Sequence, residues 1–232
     1  MRAPDLNRAI KETLGNVCNA IGVVVIQPMG FFMPTALRLL SALPYEDVVG
    51  HLLRVSYLSA MLAEKSGLDG ADVEIIRLSA LLHDVGKSAM PRGIVSKPHG
   101  LTRREFNVMK AHTIIGAAML SLFDGRAPEA VSLTALTHHE RYDGRGYPYG
   151  TAGRDIPLCG RITAIADTFD ALTSVRSYKN PYPADIALDM IARGRGRHFD
   201  PRLTDAFCDC RNEILDLSTA APDDFSLSQR DS

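Results

Sequence analysis

The chain has 232 residues, 46% of them hydrophobic, and a formal net charge of −1. That length holds one large domain or a domain with extensions, and the near-neutral charge argues against partners held by bulk electrostatics, such as polymeric nucleic acid or a membrane surface. Cys18, Cys159, Cys208 and Cys210 form no Cys-x-x-Cys pair, which fits reduced thiols in a cytoplasmic protein.

The most apolar run, 21–33, is broken by Gln27, Pro28 and Gly30. It is too short to span a bilayer and follows too long a polar start for a secretory signal. Residues 1–43 carry no catalytic pattern and read as an N-terminal extension, with helices expected over 6–20 and 34–43 and a strand-like or buried segment over 22–33. From Glu46 the periodicity is helical: His51, Val55, Leu58 and Leu62 share one face. Gly67 ends that helix, and Asp69 caps a second that carries Val73, Ile76, Ala80 and His83 inward. This second helix runs into Leu81-Leu82-His83-Asp84-Val85-Gly86-Lys87. An imidazole and a carboxylate at the end of an apolar helix are costly to bury without a partner. A metal ion would pair with both, whereas the alternative is a packed core histidine beside a capping acid. Gly86 is expected to stop the helix in a left-handed conformation.

Thr102 to Glu105 is a capping box, and it predicts one long helix with Val108, His112, Ile115 and Met119 on a face, closed by Asp124-Gly125. Pro128 starts another helix, which carries Val131, Ala135, His138 and His139. Adjacent histidines diverge by about 100° on a helix, so both reach one ion only if it sits over the helix end or the rim of that face. Glu140 to Pro148 is a glycine-rich loop. A helix over Arg161–Thr173 follows, with Asp167 and Asp170 set among apolar residues; carboxylates there are paired or liganded. Arg176, Tyr178 and Lys179 form a cationic, hydrogen-bonding cluster. A short helix spans 184–192. Asp200-Pro201 opens the last, with Leu203, Phe207, Cys210 and Ile214 inward, and 218–232 reads as a disordered tail. The expected fold is all-α, with the helical domain over 44–217.

Five of the seven histidines therefore lie on helices that should pack together, joined by Asp84 and Asp167. Imidazole plus carboxylate without thiolate suits iron, manganese or zinc. Seven ligands exceed the need of one ion, so two metals are expected, with a carboxylate such as Asp84 able to bridge them.

The order His51, His83-Asp84, His112, His138-His139, Asp167 resembles the HD superfamily of metal-dependent phosphohydrolases. The segments from His83 to Lys87, His138 to Glu140, Asp143 to Pro148 and Asp167 to Ser174 resemble its HD-GYP subfamily. The resemblance implies an HD-domain helical bundle that hydrolyses cyclic di-GMP to pGpG, in some members onward to GMP. It implies that His83, Asp84 and Asp167, with His51, hold one divalent ion, iron or manganese, and that His112, His138 and His139 hold a second, bridged by Asp84. Lys87 would join Asp84 in catalysis and contact a substrate phosphate. Arg176, Tyr178 and Lys179 would bind the phosphodiester backbone. Gly146, Tyr147 and Pro148 would shape the pocket rim and contact diguanylate cyclase partners. Asp47 stands where three-metal members carry Glu, one methylene longer. His99 and His198 match no ligand position and are expected to be structural. Two other readings stay open: an HD-type hydrolase of another cyclic dinucleotide or nucleotide, and a non-catalytic signalling or interaction module.

Overall fold

A computed structural model describes residues 48–122, 128–175 and 180–219. The extension over 1–43, the third-metal candidate Asp47, the cluster of Arg176, Tyr178 and Lys179, and nearly all of the expected tail lie outside these described residues, as does the stop at Asp124-Gly125. Among the described residues there are ten α-helices and no strand: α1 Val48–Lys65, α2 Gly70–Leu81, α3 Arg92–Val95, α4 Arg103–Met109, α5 Ala111–Ser121, α6 Glu129–Thr137, α7 Leu158–Thr173, α8 Ala184–Arg193, α9 Pro201–Asp209 and α10 Arg211–Thr219. The all-α expectation holds.

Packing follows the apolar stripes. Val55, Leu58 and Leu62 of α1, Val73 and Ile76 of α2, Ile162, Ile165 and Phe169 of α7, and Leu188 and Ile191 of α8 close one core. Phe207 of α9 joins it edge-on to Phe169, with ring centroids 5.5 Å apart. The turn between α1 and α2 passes through Gly67 at φ 86°, a left-handed position that glycine adopts at no steric cost. Asp69 caps α2 by accepting from the Asp72 amide, and Asp200 caps α9 by accepting from the Arg202 amide. Leu203, Phe207, Cys210 and Ile214 are all buried, although α9 and α10 are two helices rather than one and α10 continues to Thr219.

Two local expectations are corrected. Gly86 does not terminate a helix in the left-handed region. It lies inside a 3₁₀ turn, Val85–Ala89, where an added Cβ would stand 2.0 Å from the His112 carbonyl oxygen and 2.6 Å from the Gly116 amide nitrogen. Glycine is needed there because two main chains touch. The helix opened by the Thr102 capping box is also not continuous: it breaks at Lys110 into α4 and α5. The carbonyl of Met109 accepts from the His112 imidazole at 2.7 Å, while the Thr113 amide reaches back only to Lys110 at 3.3 Å. The bend leaves Val108 exposed while His112 is buried, so the two do not share an inward face.

Candidate metal centre

Asp84 follows α2 directly, at the entry to the 3₁₀ turn that the Gly86–Gly116 contact presses onto α5. That contact sets Asp84 against His112. A second close approach does the same for α6 and α7: a Cβ on Gly160 would lie 2.1 Å from the Thr137 hydroxyl oxygen, one residue before His138. His51 comes from the inner face of α1, Asp167 from α7, and His138 caps the C-terminal end of α6 with His139 just beyond it. The adjacent histidines thus converge at a helix end, the arrangement their divergence demands.

The donor atoms fall into two groups, each within 4.8 Å of one another: His51, His83 and Asp167, and Asp84, His112, His138 and His139. Asp84 faces both. Its Oδ2 is 3.4 Å from His83 Nε2 and 3.7 Å from His51 Nε2. Its Oδ1 is 3.4 Å from His112 Nε2 and 3.7 Å from His138 Nε2. Asp167 Oδ1 completes the first group, 3.7 Å from His51 Nε2 and 3.9 Å from His83 Nε2. Lys87 reaches the cluster through an ion pair with Asp84 Oδ2. All seven expected ligands that the described residues include are therefore gathered in one place.

Four of the five rings are oriented from behind. His83 Nδ1 donates to the Ala80 carbonyl at 2.6 Å, His112 Nδ1 to Met109 at 2.7 Å, and His138 Nδ1 to Thr134 at 3.0 Å. His51 Nδ1 donates instead to a carboxylate, Asp170 Oδ2, at 2.8 Å. A hydrogen bond on Nδ1 fixes the tautomer and leaves Nε2 with its lone pair forward. Sequence reasoning marked Asp170 as a carboxylate needing a partner but not as the residue that orients His51, or that Arg54 grips the same carboxylate at 2.5 Å. The signal was there in the spacing: Arg54 is three residues after His51, and Asp170 three after Asp167.

The electrostatics fit cation ligands at His112, His138 and His139, whereas His51 holds a second proton near pH 7 that an ion would have to displace. Burial, the largest influence, lowers His112 to about 4 and pushes His138 and His139 well below the ordinary value, so all three are neutral near pH 7. Burial would lower His51 as well, but Asp170, Asp84 and Asp167 together raise it to about 9. Burial also disfavours the Asp84 carboxylate, yet Lys87, His83 and His51 hold it well below the usual range. His83 Nε2 is fully buried and makes no hydrogen bond. An orphaned imidazole nitrogen among carboxylates and neutral imidazoles is the donor set a divalent ion satisfies. Thiolate is absent from both groups.

The loop after His139 walls the site. Gly146 cannot carry a side chain, because a Cβ would lie 2.4 Å from the Arg141 amide nitrogen and 2.6 Å from the His139 carbonyl oxygen. The Tyr147 amide donates to that carbonyl at 3.2 Å, and the Tyr149 amide donates to the buried Glu140 carboxylate at 2.8 Å. Pro148 follows a cis peptide bond. The Tyr147 ring lies 4.7 Å from His139. Burial, then Asp84 and Asp167, raise its phenol, so it remains a neutral hydroxyl. His99 is exposed. His198 is half-buried, and its backbone carbonyl accepts from the Tyr142 amide at 3.0 Å. Neither belongs to a donor group.

An all-helical bundle in which histidines and aspartates converge from five elements is a helical protein with a cluster that could hold metal. The chain matches the HD domain family over residues 36–203 and belongs to it. It is 46% identical over 182 residues to the cyclic di-GMP phosphodiesterase response regulator RpfG of Xanthomonas campestris pv. campestris, a match covering 78% of this chain and 48% of that protein. It is 43% identical over 167 residues to a cyclic di-GMP phosphodiesterase of Thermotoga maritima, covering 72% and 45%. A 3'3'-cGAMP-specific phosphodiesterase 2 of Vibrio cholerae is 38% identical over 173 residues, covering 75% and 33%. The chain thus spans about half the length of the first two relatives and a third of the last. Among solved structures, the protein Bd1817 of Bdellovibrio bacteriovorus, titled an HDG"Y"P protein, shares the fold at TM-score 0.60 and 21% identity, covering 91% of this chain and 74% of that one. Among the described residues no helix is long and apolar enough to cross a membrane.

Proposed function

We propose that this domain hydrolyses a phosphodiester bond of cyclic di-GMP, adding water at phosphorus as the bond to a ribose 3′-oxygen breaks and releasing linear pGpG. The observation that carries the reading is Asp84, whose two oxygens face two separate imidazole sets at 3.4 Å. In this reading His51, His83 and Asp167 would hold one divalent ion and His112, His138 and His139 another, with Asp84 placed to serve both. Iron or manganese suits the donors best. When bound, such ions lower the pKa of a coordinated water and offset phosphoryl charge. Lys87, its ammonium already on Asp84, shares that charge with a phosphoryl oxygen. Tyr147 stands over His139 as a neutral hydroxyl donor, with Gly146 and Pro148 setting its place. Arg176, Tyr178 and Lys179 would hold the remaining phosphodiester, where a guanidinium fork suits phosphate oxygens. Two ions and pGpG are the default; a third ion would need Asp47 to reach as far as Glu. The protein would act in the cytoplasm, with a diguanylate cyclase as a candidate partner at the Gly146-Tyr147-Pro148 loop.

The test is purification without oxygen, metal analysis, and product identification with cyclic di-GMP. Two ions per chain and accumulating pGpG are expected; a metal-free protein without turnover would leave a non-catalytic module. The likeness to a 3'3'-cGAMP-specific relative supports one other reading, a different cyclic dinucleotide as substrate. Comparing kcat/KM for cyclic di-GMP and 3'3'-cGAMP decides between them.

A further inference from the structure

Beyond the metal cluster the ring contacts continue outward. Tyr147, 4.7 Å from His139 on its inner side, meets Phe106 of α4 edge-on at 5.9 Å on its outer side. Lys110, at the break between α4 and α5, places its ammonium 5.0 Å from the Phe106 ring and 5.7 Å from the Tyr147 ring. A cation over two aromatic faces is held by their quadrupoles. Among the described residues Lys110 makes no ion pair with a carboxylate, although Lys97, on the preceding loop, is taken up by Glu105 at 2.7 Å. Phe106 remains 43% exposed beside the mouth of the site. A large ring left open beside an ammonium that no carboxylate of the described residues pairs is poorly explained by the fold alone. Phe106 lies in the last turns of α4 and Lys110 at the break between α4 and α5.

We infer that Phe106 and Lys110 form a subsite for a purine base of the substrate: the base stacks on Phe106, and Lys110 donates to the O6 and N7 edge that guanine presents. This rests on the reading of the domain as a cyclic dinucleotide hydrolase. A cyclic dinucleotide carries its purines on the same macrocycle as its phosphates, so a phosphate at the metal groups leaves a base beside Tyr147. Stacking on an aromatic ring is a general means of holding a nucleobase, and an ammonium matches the two acceptors of guanine but meets the amine of adenine. Both are contacts made alike in the bound substrate and in the transition state, so they act on KM rather than on kcat.

Steady-state kinetics on Phe106→Ala, Lys110→Met and Lys110→Arg, with metal analysis of each, tests the assignment. For cyclic di-GMP, KM should rise about tenfold in the first two, with kcat within twofold and metal content as in wild type, and Lys110→Arg should stay near wild type. Affinity for cyclic di-AMP should change less than twofold in Lys110→Met. Unchanged KM in both variants, with the wild type active, would overturn the subsite and leave the proposed activity standing. Loss of metal or of kcat would make these residues supports of the ligand shell and overturn it too. An equal loss for both dinucleotides would put Lys110 on a phosphate, against the base assignment. A wild type that binds two ions and does not turn over cyclic di-GMP would instead sink the activity itself.

Discussion

His51 and Asp170 are joined by a 2.8 Å hydrogen bond from Nδ1 to Oδ2 that ties α1 to α7 across 119 residues of chain. The bond turns His51 Nε2 toward Asp84 and Asp167, each 3.7 Å away. Arg54 clamps the other oxygen of Asp170 and also donates to Ser174 at 3.0 Å. The imidazole is therefore aimed by a carboxylate that is itself fixed. Carboxylate–histidine pairs of this kind typically alter metal affinity by about 10–100-fold.

Asp170→Asn keeps the shape of that support and removes its charge. Metal affinity at the His51 group should fall by about 10–100-fold, while the ion at the His112 group stays. Metal titration with one ion retained and one weakened is the expected result; two ions bound as tightly as in wild type would refute the role of Asp170.

Asp84→Ala removes a side chain whose two oxygens face the two donor groups. Both ions should be lost together and hydrolysis abolished. The fold should survive, because Asp84 is not part of the apolar core. Loss of one ion with partial activity would mean that Asp84 serves a single ion.

Gly86→Ala must separate two main chains, since its Cβ would sit 2.0 Å from the His112 carbonyl oxygen. Overpacking of this sort costs about 1–3 kcal/mol or more, and here it also moves Asp84 away from His112. Gly93→Ala is the control: its Cβ meets nothing within 4 Å inside a helical turn, so it should be neutral or stabilising by roughly 0.5–1 kcal/mol. Urea unfolding of the two variants should differ in midpoint accordingly. Equal stability would mean that the 3₁₀ turn yields freely.

Glu105 offers a pH test away from the metals. The Lys97 ammonium, then the Thr102 backbone and hydroxyl, hold its carboxyl at about 2, against an ordinary 4.5. The folded value is the lower one, so this stabilisation is complete above pH 4.5 and is lost as pH falls toward 2. Glu105→Gln should lower the melting temperature at neutral pH, and the gap to wild type should close between pH 4.5 and 2. A gap independent of pH would show that the charge of Glu105 contributes nothing.

The clustering of histidines and aspartates was legible in the sequence because polar groups on apolar faces are conspicuous: His51 sits with Val55 and Leu58, and Asp167 among Ile162, Ile165 and Phe169. The capping box at Thr102 and the cap at Asp69 were legible because those signals are local. What escaped depends on contacts between distant parts of the chain. Gly86 reads as a helix stop, since sequence does not show that Gly116 lies against it. The break at Lys110 has no proline or glycine to announce it, and Lys110 itself keeps helical backbone angles. Phe106 and Lys110 read as ordinary members of a surface helix until the loop of Gly146 and Tyr147 folds over to meet them.

The contact of Gly86 with Gly116 also bears on how the domain would take up the proposed ions. Backbone packed on backbone has no rotamers to relax, so Asp84 and His112 keep their spacing whatever lies between them. The donors are held in register by the scaffold, not gathered by the ion. Metal capture is then uncoupled from folding, in contrast to small metal-dependent modules that are unstructured when stripped. A chelator should silence the domain while leaving its helix content intact, and adding metal back should restore it without a refolding phase.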